Sequence, residues 1–192
     1  MYRLLESIRV ENGKMCYREA HERRMNDSRK ALFGLKEPLC LSDTLLPQQL
    51  PYGTYKCRII YSDNIHTVEV QPYVIRSVRS LQLAECNDID YSHKYENRGL
   101  FEQLSTTKKA DEIIIVKHGL LTDTTYSNIV FYDGKKWITP SSFLLNGTQR
   151  QRLLQTGRIV SAEIRPTDMK HFRYAKLINA MLDLENSPTI VL

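Results

Sequence analysis

Apolar and polar positions alternate from the first residues of the chain, and the alternation breaks at Asn12-Gly13, a dipeptide that favours a tight hairpin turn. The pattern predicts two short strands within residues 1–17. Residues 18–34, REAHERRMNDSRKALFG, then have the length and residue types of an amphipathic helix, with Met25, Ala31, Leu32 and Phe33 apolar and Gly34 as its stop. Pro47, Pro51 and Gly53 punctuate a loop. TYKCRIIYS and HTVEVQPYV form a hairpin around Asp63-Asn64. This is a small α+β unit over residues 1–75.

A second, larger unit over residues 76–192 has a different pattern. HKYENRGLFEQLSTTKKA reads as a helix whose entry holds Lys94. DEIIIVKHG carries four consecutive β-branched residues, the mark of a strand buried on both faces. YSNIVFYDGKKWITP is a hairpin turning at Asp133-Gly134, and NGTQRQRLLQTG is a helix opening just after Gly147. The strand RIVSAEIRP, the helix-like TDMKHFRYAKL and the segment INAMLDLENSPTIVL follow. Two α+β units joined near residues 74–83 would leave a cleft between them, a common place for a ligand.

Composition narrows the function classes. The 192 residues are 42% hydrophobic and 26% charged, an ordinary globular balance with substance for real cores. No apolar run approaches the ~20 residues of a membrane span, and residues 1–14 lack the apolar core and cleavage site of a secretory signal. The expectation is a cytoplasmic protein without membrane partners. Cys16, Cys40, Cys57 and Cys86 form no C-x-x-C pair, which argues against a zinc ribbon or other metal site. The net charge of +5 comes from basic residues scattered among acids, so nucleic acid is not the expected partner; the same field would draw an anionic small molecule.

The candidate chemistry lies mostly in the second unit. Lys94 sits in HKYENR between an imidazole, a phenol, a carboxylate and an arginine. Asp123 precedes a Thr, Thr, Ser, Asn cluster that leads into an apolar strand. Gly147 stands at a helix start, where unpaired backbone N–H groups and the positive helix end make a natural phosphate cradle.

Read in order, K-x-x-N-R from Lys94, D-x-x-x-S-N-I from Asp123, T-P at Thr139-Pro140 and G-x-x-R from Gly147 resemble the fold-type IV pyridoxal-phosphate enzymes, the class IV aminotransferases. His21 and Arg24 supply an earlier H-x-x-R that also fits. The resemblance spans residues 17–182 and is strongest over 94–150. It implies a two-domain α+β fold of the D-amino acid aminotransferase type, with a small N-terminal and a larger C-terminal domain, and pyridoxal 5′-phosphate as cofactor. Carried over, Lys94 is the lysine that bonds the cofactor aldehyde, and Arg24 binds its phosphate. Asp123, where most members have glutamate, faces the pyridine nitrogen, and Asn128, five residues on, is a further cofactor-binding candidate. Gly147, Thr148 and Gln149 match the phosphate turn, and Asn179 and Ala180 the late loop that closes over the phosphate. Members place their active sites near a dimer interface, which implies a homodimer.

The substrate implied bears an amine and a carboxylate. Many transaminases of the family have a tyrosine five residues after the lysine; this chain has Gly99 there, and its K-Y-E-N-R is similar to the pattern of the 4-amino-4-deoxychorismate lyases. Those enzymes release pyruvate and 4-aminobenzoate in folate synthesis. An aminotransferase of the D-amino acid or branched-chain type is the alternative, and a non-catalytic cofactor-binding protein a third reading. Arg58, Arg76, Arg79 and Arg98 are candidates for the cation that meets the substrate carboxylate.

Overall fold

The alternation at the start of the chain becomes a strand, β1 (Leu4–Glu11), in a computed structural model that describes residues 2–192. Asn12 and Gly13 both take positive φ, 51° and 70°, a twist that matches the strands on either side. The chain returns as β2 (Lys14–Met15), which pairs only with Val10 and Glu11. After helix α1 (Arg18–Phe33), β3 (Thr54–Tyr61) pairs with β1 along its whole length, and β4 (Ile65–Pro72) completes a sheet of order β2-β1-β3-β4. One face of that sheet buries Leu4, Ile8, Val10, Cys57, Ile59 and Tyr61 together with Met25 of α1.

Helix α1 ends where the sequence predicts. Gly34 sits at φ 70° and its N–H reaches the Lys30 carbonyl at 3.1 Å, a left-handed stop that glycine adopts without strain. Of the expected apolar residues, Met25 enters the core and Leu32 and Phe33 pack against it, but Ala31 does not, and polar side chains share the buried face. The helix's buried positions are His21, Met25, Ser28 and Arg29, while Ala31 is exposed and Leu32 and Phe33 are half-buried. Arg29 donates to the carbonyls of Glu37 and Asp63, both at 2.7 Å, so polar contacts carry much of the docking.

The first compact unit runs to Val74 and also takes in His93–Asn97; the second comprises Ile75–Ser92 and Arg98–Leu192. The lysine segment is therefore not the start of a helix. Because β2 covers only the far end of β1, the main chain at Leu4 and Leu5 is open to another partner on that side. There Leu5 donates to the Lys94 carbonyl at 2.9 Å and Glu96 donates to the Arg3 carbonyl at 2.8 Å. This long-range pairing overrides the local helical pattern, and helix α2 spans only Gly99–Thr106.

In the second unit β5 (Leu81–Glu85) lies parallel to β6 (Glu112–Lys117), and β7 (Leu120–Thr124) runs antiparallel to β6. The β-branched run of β6 is buried at every position from Ile113 to Val116, as its composition predicts. The chain continues through β8 (Asn128–Tyr132), β9 (Trp137–Pro140), helix α3 (Thr148–Gln155), β10 (Val160–Ala162), β11 (Tyr174–Ile178) and β12 (Ile190–Val191). These strands form a sheet of order β10-β9-β8-β11-β12. Tyr174–Ile178 is a strand where a helix was expected: a 3-10 turn at Pro166–His171 ends at Phe172, after which Ala175 and Leu177 enter the core on alternate positions. Its register sets Ile178 opposite Asn128. No helix among the described residues is long and apolar enough to cross a membrane.

The β6–β7 turn is a sharp local test. His118 and Gly119 both have positive φ, 52° and 76°. His118→Ile puts a β-branched side chain into the left-handed region and is expected to cost about 1–2 kcal/mol in urea unfolding. His118→Asn should hold the parent's stability, and equal losses in both variants would contradict the turn.

Candidate functional site

In the first unit the period of β1 carries a charge inward. Glu6 shares a face with Leu4, Ile8 and Val10, and it is 0% exposed. Helix α1 answers with His21 and Arg24, three residues apart and so on one side. Arg24 donates through Nε to Glu6 Oε1 at 2.9 Å and through Nη2 to Oε2 at 2.5 Å, while His21 Nδ1 lies 2.7 Å from Oε2. Burial pushes the Glu6 carboxyl up, but the Arg24 charge and the His21 contact outweigh it and hold the pKa at about 2. Burial lowers the His21 pKa; Glu6 opposes that shift, and the charges of Arg24 and Lys94 add to it. A neutral ring then donates its Nδ1–H to the carboxylate.

Lys94 belongs to this cluster. Its carbonyl is fixed by Leu5, next to Glu6 in β1, and its charge is felt at His21. The preceding residue is tied to α1, His93 Nδ1 lying 3.0 Å from Ser28 Oγ. The expected His21 and Arg24 are thus joined through a carboxylate that the sequence motifs did not include, and the expected lysine lies in the same unit. The signal for Glu6 was present: it is the one charged residue in the Leu4, Glu6, Ile8, Val10 stripe. Arg58, by contrast, pairs with Glu69 at 3.4 Å and Glu96 at 3.5 Å.

In the second unit Asp123 lies on β7, not in a loop, and is 6% exposed. Its Oδ2 accepts the N–H groups of Leu144 at 3.1 Å and Leu145 at 2.8 Å; its Oδ1 accepts Asn128 Nδ2 at 2.7 Å. Burial pushes its carboxyl up to about 6, against these donors and the nearby Arg150 charge. Two carboxylate oxygens offer about four acceptor positions, so one remains for a further donor. Asn128 also donates to the Leu145 carbonyl at 2.9 Å. A Cβ at Gly147 would stand 2.1 Å from Asn128 Oδ1, so only glycine fits there.

Gly147 is the N-cap of α3 and has no side chain with which to cap that end. The first-turn N–H groups, with the buried Thr148 hydroxyl beside them, suit an anion such as phosphate. The Gln149 side chain points its polarity elsewhere, donating to Asp183 Oδ1 at 2.6 Å and accepting from Arg152 Nε at 3.0 Å. Asn179 and Ala180 follow β11 directly, and the Ile178–Asn128 pairing brings them to the start of β8. Asn179 Oδ1 accepts the N–H groups of Met181 at 2.8 Å and Leu182 at 3.1 Å, fixing a tight turn. Asp183, just beyond, ties that turn to α3.

Among the other arginines, Arg76 reaches the buried Glu112 at 3.3 Å, Arg98 donates to Tyr91 Oη at 3.1 Å and to the Thr125 carbonyl, and Arg79 is exposed. Arg150 is a buried residue the site reading passed over, although it ends the G-x-x-R motif. It bonds the Pro140 carbonyl at 3.0 Å and Asn146 Oδ1 at 3.1 Å, and its charge acts on Asp123.

Comparison with known proteins agrees with this architecture. A family model described as amino-transferase class IV matches residues 69–184. An uncharacterized protein of Haemophilus influenzae is 38% identical over 185 residues, covering 94% of this chain and 98% of the relative. A solved structure from Haemophilus somnus 129pt, provisionally named 4-amino-4-deoxychorismate lyase, is 33% identical, with a TM-score of 0.85 over 96% of this chain and 98% of its own. A hypothetical aminotransferase from Mycobacterium tuberculosis in its PLP-bound form is 18% identical and shares the fold, with a TM-score of 0.77 over 98% of this chain and 80% of its own.

The two buried carboxylates have opposite pH signatures. Glu6→Gln removes one partner of a buried ion pair, a loss of about 3–5 kcal/mol near neutral pH. Since the Glu6 pKa falls from 4.5 to about 2, its contribution is complete above 4.5 and disappears as pH drops through 2. The gap in urea midpoint between parent and variant should close over that window. Asp123 rises from 3.8 to about 6, so its ionisation costs stability that is absent below 3.8 and complete above 6. Asp123→Asn should therefore gain on the parent as pH rises across that range. Parallel pH profiles would contradict both assignments.

Proposed function

The chain belongs to the class IV aminotransferase family, with its fold-type IV architecture, and we propose that it is a pyridoxal 5′-phosphate-dependent enzyme, specifically a 4-amino-4-deoxychorismate lyase. The observation that carries the cofactor is a buried carboxylate, Asp123, joined through Asn128 to an uncapped helix start whose glycine admits no side chain. A pyridine nitrogen needs such an acceptor, and a phosphate needs such donors. The near full-length match to the Haemophilus somnus protein and Gly99 in place of tyrosine support the lyase.

In this reading Lys94 would be the amine that holds the cofactor through its aldehyde and the base that moves the substrate's α-proton. The first-turn N–H groups of α3 and the Thr148 hydroxyl would hold the phosphate, and by the family resemblance Arg24 and the Asn179-Ala180 turn would serve the same group. Asp123 would accept from the pyridine nitrogen and favour its protonated form. The bound cofactor supplies a sink for the electrons released at the α-carbon. The substrate carboxylate requires a cation from among Arg58, Arg76, Arg79 and Arg98. Release of pyruvate leaves 4-aminobenzoate, a step of folate synthesis.

Purified protein supplied with the cofactor should be yellow, and borohydride should bleach the band; Lys94→Ala should lose both the band and turnover. A band that persists in the variant would remove Lys94 from the reaction. Aminodeoxychorismate, assayed beside a panel of L- and D-amino acids, should be the substrate that turns over. Turnover of the amino acids alone would instead make the protein an aminotransferase, and cofactor binding with no turnover a binding protein.

The family's placement of active sites near a subunit interface supports a homodimer. Sedimentation of the active enzyme should give a two-chain species; an active monomer would refute the assembly.

A further inference from the structure

Asn128 stands at the centre of the second cluster without a donor to spare. Its amide nitrogen has two hydrogens, one directed to Asp123 Oδ1 at 2.7 Å and the other to the Leu145 carbonyl at 2.9 Å. Its oxygen fills the space a side chain at position 147 would need. Asp123 grips the same segment from its other oxygen, through the N–H groups of Leu144 and Leu145. Residues 144–147 are thus clasped on both peptide polarities just before α3 begins. An amide is the one short side chain that suits the place, because both facing groups are acceptors. A carboxylate would set oxygen against oxygen, and a serine has one hydrogen for two acceptors.

We propose that Asn128 is a positioning residue that locks the start of α3 onto Asp123, so that the helix's first-turn N–H groups keep the place required to recognise a phosphate. The inference rests on the function proposed above and assigns Asn128 a role through the backbone rather than through contact with the cofactor. Gly147 is its counterpart: the lock closes only because position 147 has no side chain. Arg150, in the first turn of α3, reinforces it through Pro140 and Asn146.

The test is equilibrium binding of pyridoxal phosphate and of pyridoxal, which lacks the phosphate, to the apo chain. The ratio of the two dissociation constants reads phosphate recognition alone, and a merely structural residue would weaken both ligands together. The parent should favour the phosphorylated ligand. Asn128→Ala and Asn128→Asp should each lose about tenfold in that ratio, in which any change at Asp123, common to both ligands, cancels. Gly147→Ala should lower the ratio in the parent but add little in the Asn128→Ala background, where the atom its Cβ would strike is gone. This coupling tests the lock even if Asn128→Asp fails to fold. A ratio unchanged in the Asn128→Ala variant would overturn the inference alone. A parent that shows no preference for the phosphorylated ligand would overturn the functional reading as well.

Discussion

A carboxylate taken out of water must find donors, and Asp123 finds them in the main chain of another segment and in the Asn128 amide. The three hydrogen bonds it accepts from Leu144, Leu145 and Asn128 join β7 and β8 to the segment before α3. That single constraint fixes where the helix begins, and with it the direction in which the helix's uncapped N–H groups point. The missing side chain at Gly147, the amide at Asn128 and the buried Arg150 are each intelligible as consequences of it.

The first unit solves the same physical problem in a different way. Glu6 is as deeply buried as Asp123, yet its pKa falls to about 2 while that of Asp123 rises to about 6. The difference lies in the partners. Glu6 faces the full charge of Arg24 at hydrogen-bond distance, which outweighs desolvation; Asp123 is met mainly by neutral N–H groups, which reduce the cost of burial without cancelling it. One carboxylate stays firmly anionic and holds an arginine and a histidine in register. The other is poised near its ionisation point, where a cationic ring nitrogen would shift it back towards the charged form.

The segment with Lys94 shows how such a site is assembled from distant parts of a chain. Within residues 93–97 the Tyr95 N–H donates to the His93 carbonyl at 2.9 Å, and the ties to β1 and α1 are long-range. These residues gain their structure from the open edge of β1 and from the His93–Ser28 contact. The Lys94 backbone is thus held on an extended, edge-paired segment.

By itself the sequence determined the elements whose cause is local. The Asn12-Gly13 and Asp133-Gly134 turns, the stop at Gly34, the buried strand at Ile113–Val116 and the helix after Gly147 all follow from residue types at short spacing. It also carried the family through the order of Lys94, Asp123, Asn128 and Gly147, because the types of residue such chemistry needs are written in the chain. What it could not carry was partnership. The stripe of β1 marked Glu6 as anomalous, but only tertiary structure supplied His21 and Arg24. The pattern around Lys94 was helical, but an open strand edge far away in sequence claimed its backbone. YAKLI hid a period of two inside a helix-like composition until β8 gave it a neighbour. Local propensities are worth tenths of a kcal/mol per residue, and a main-chain pairing or a buried carboxylate left without donors outweighs them.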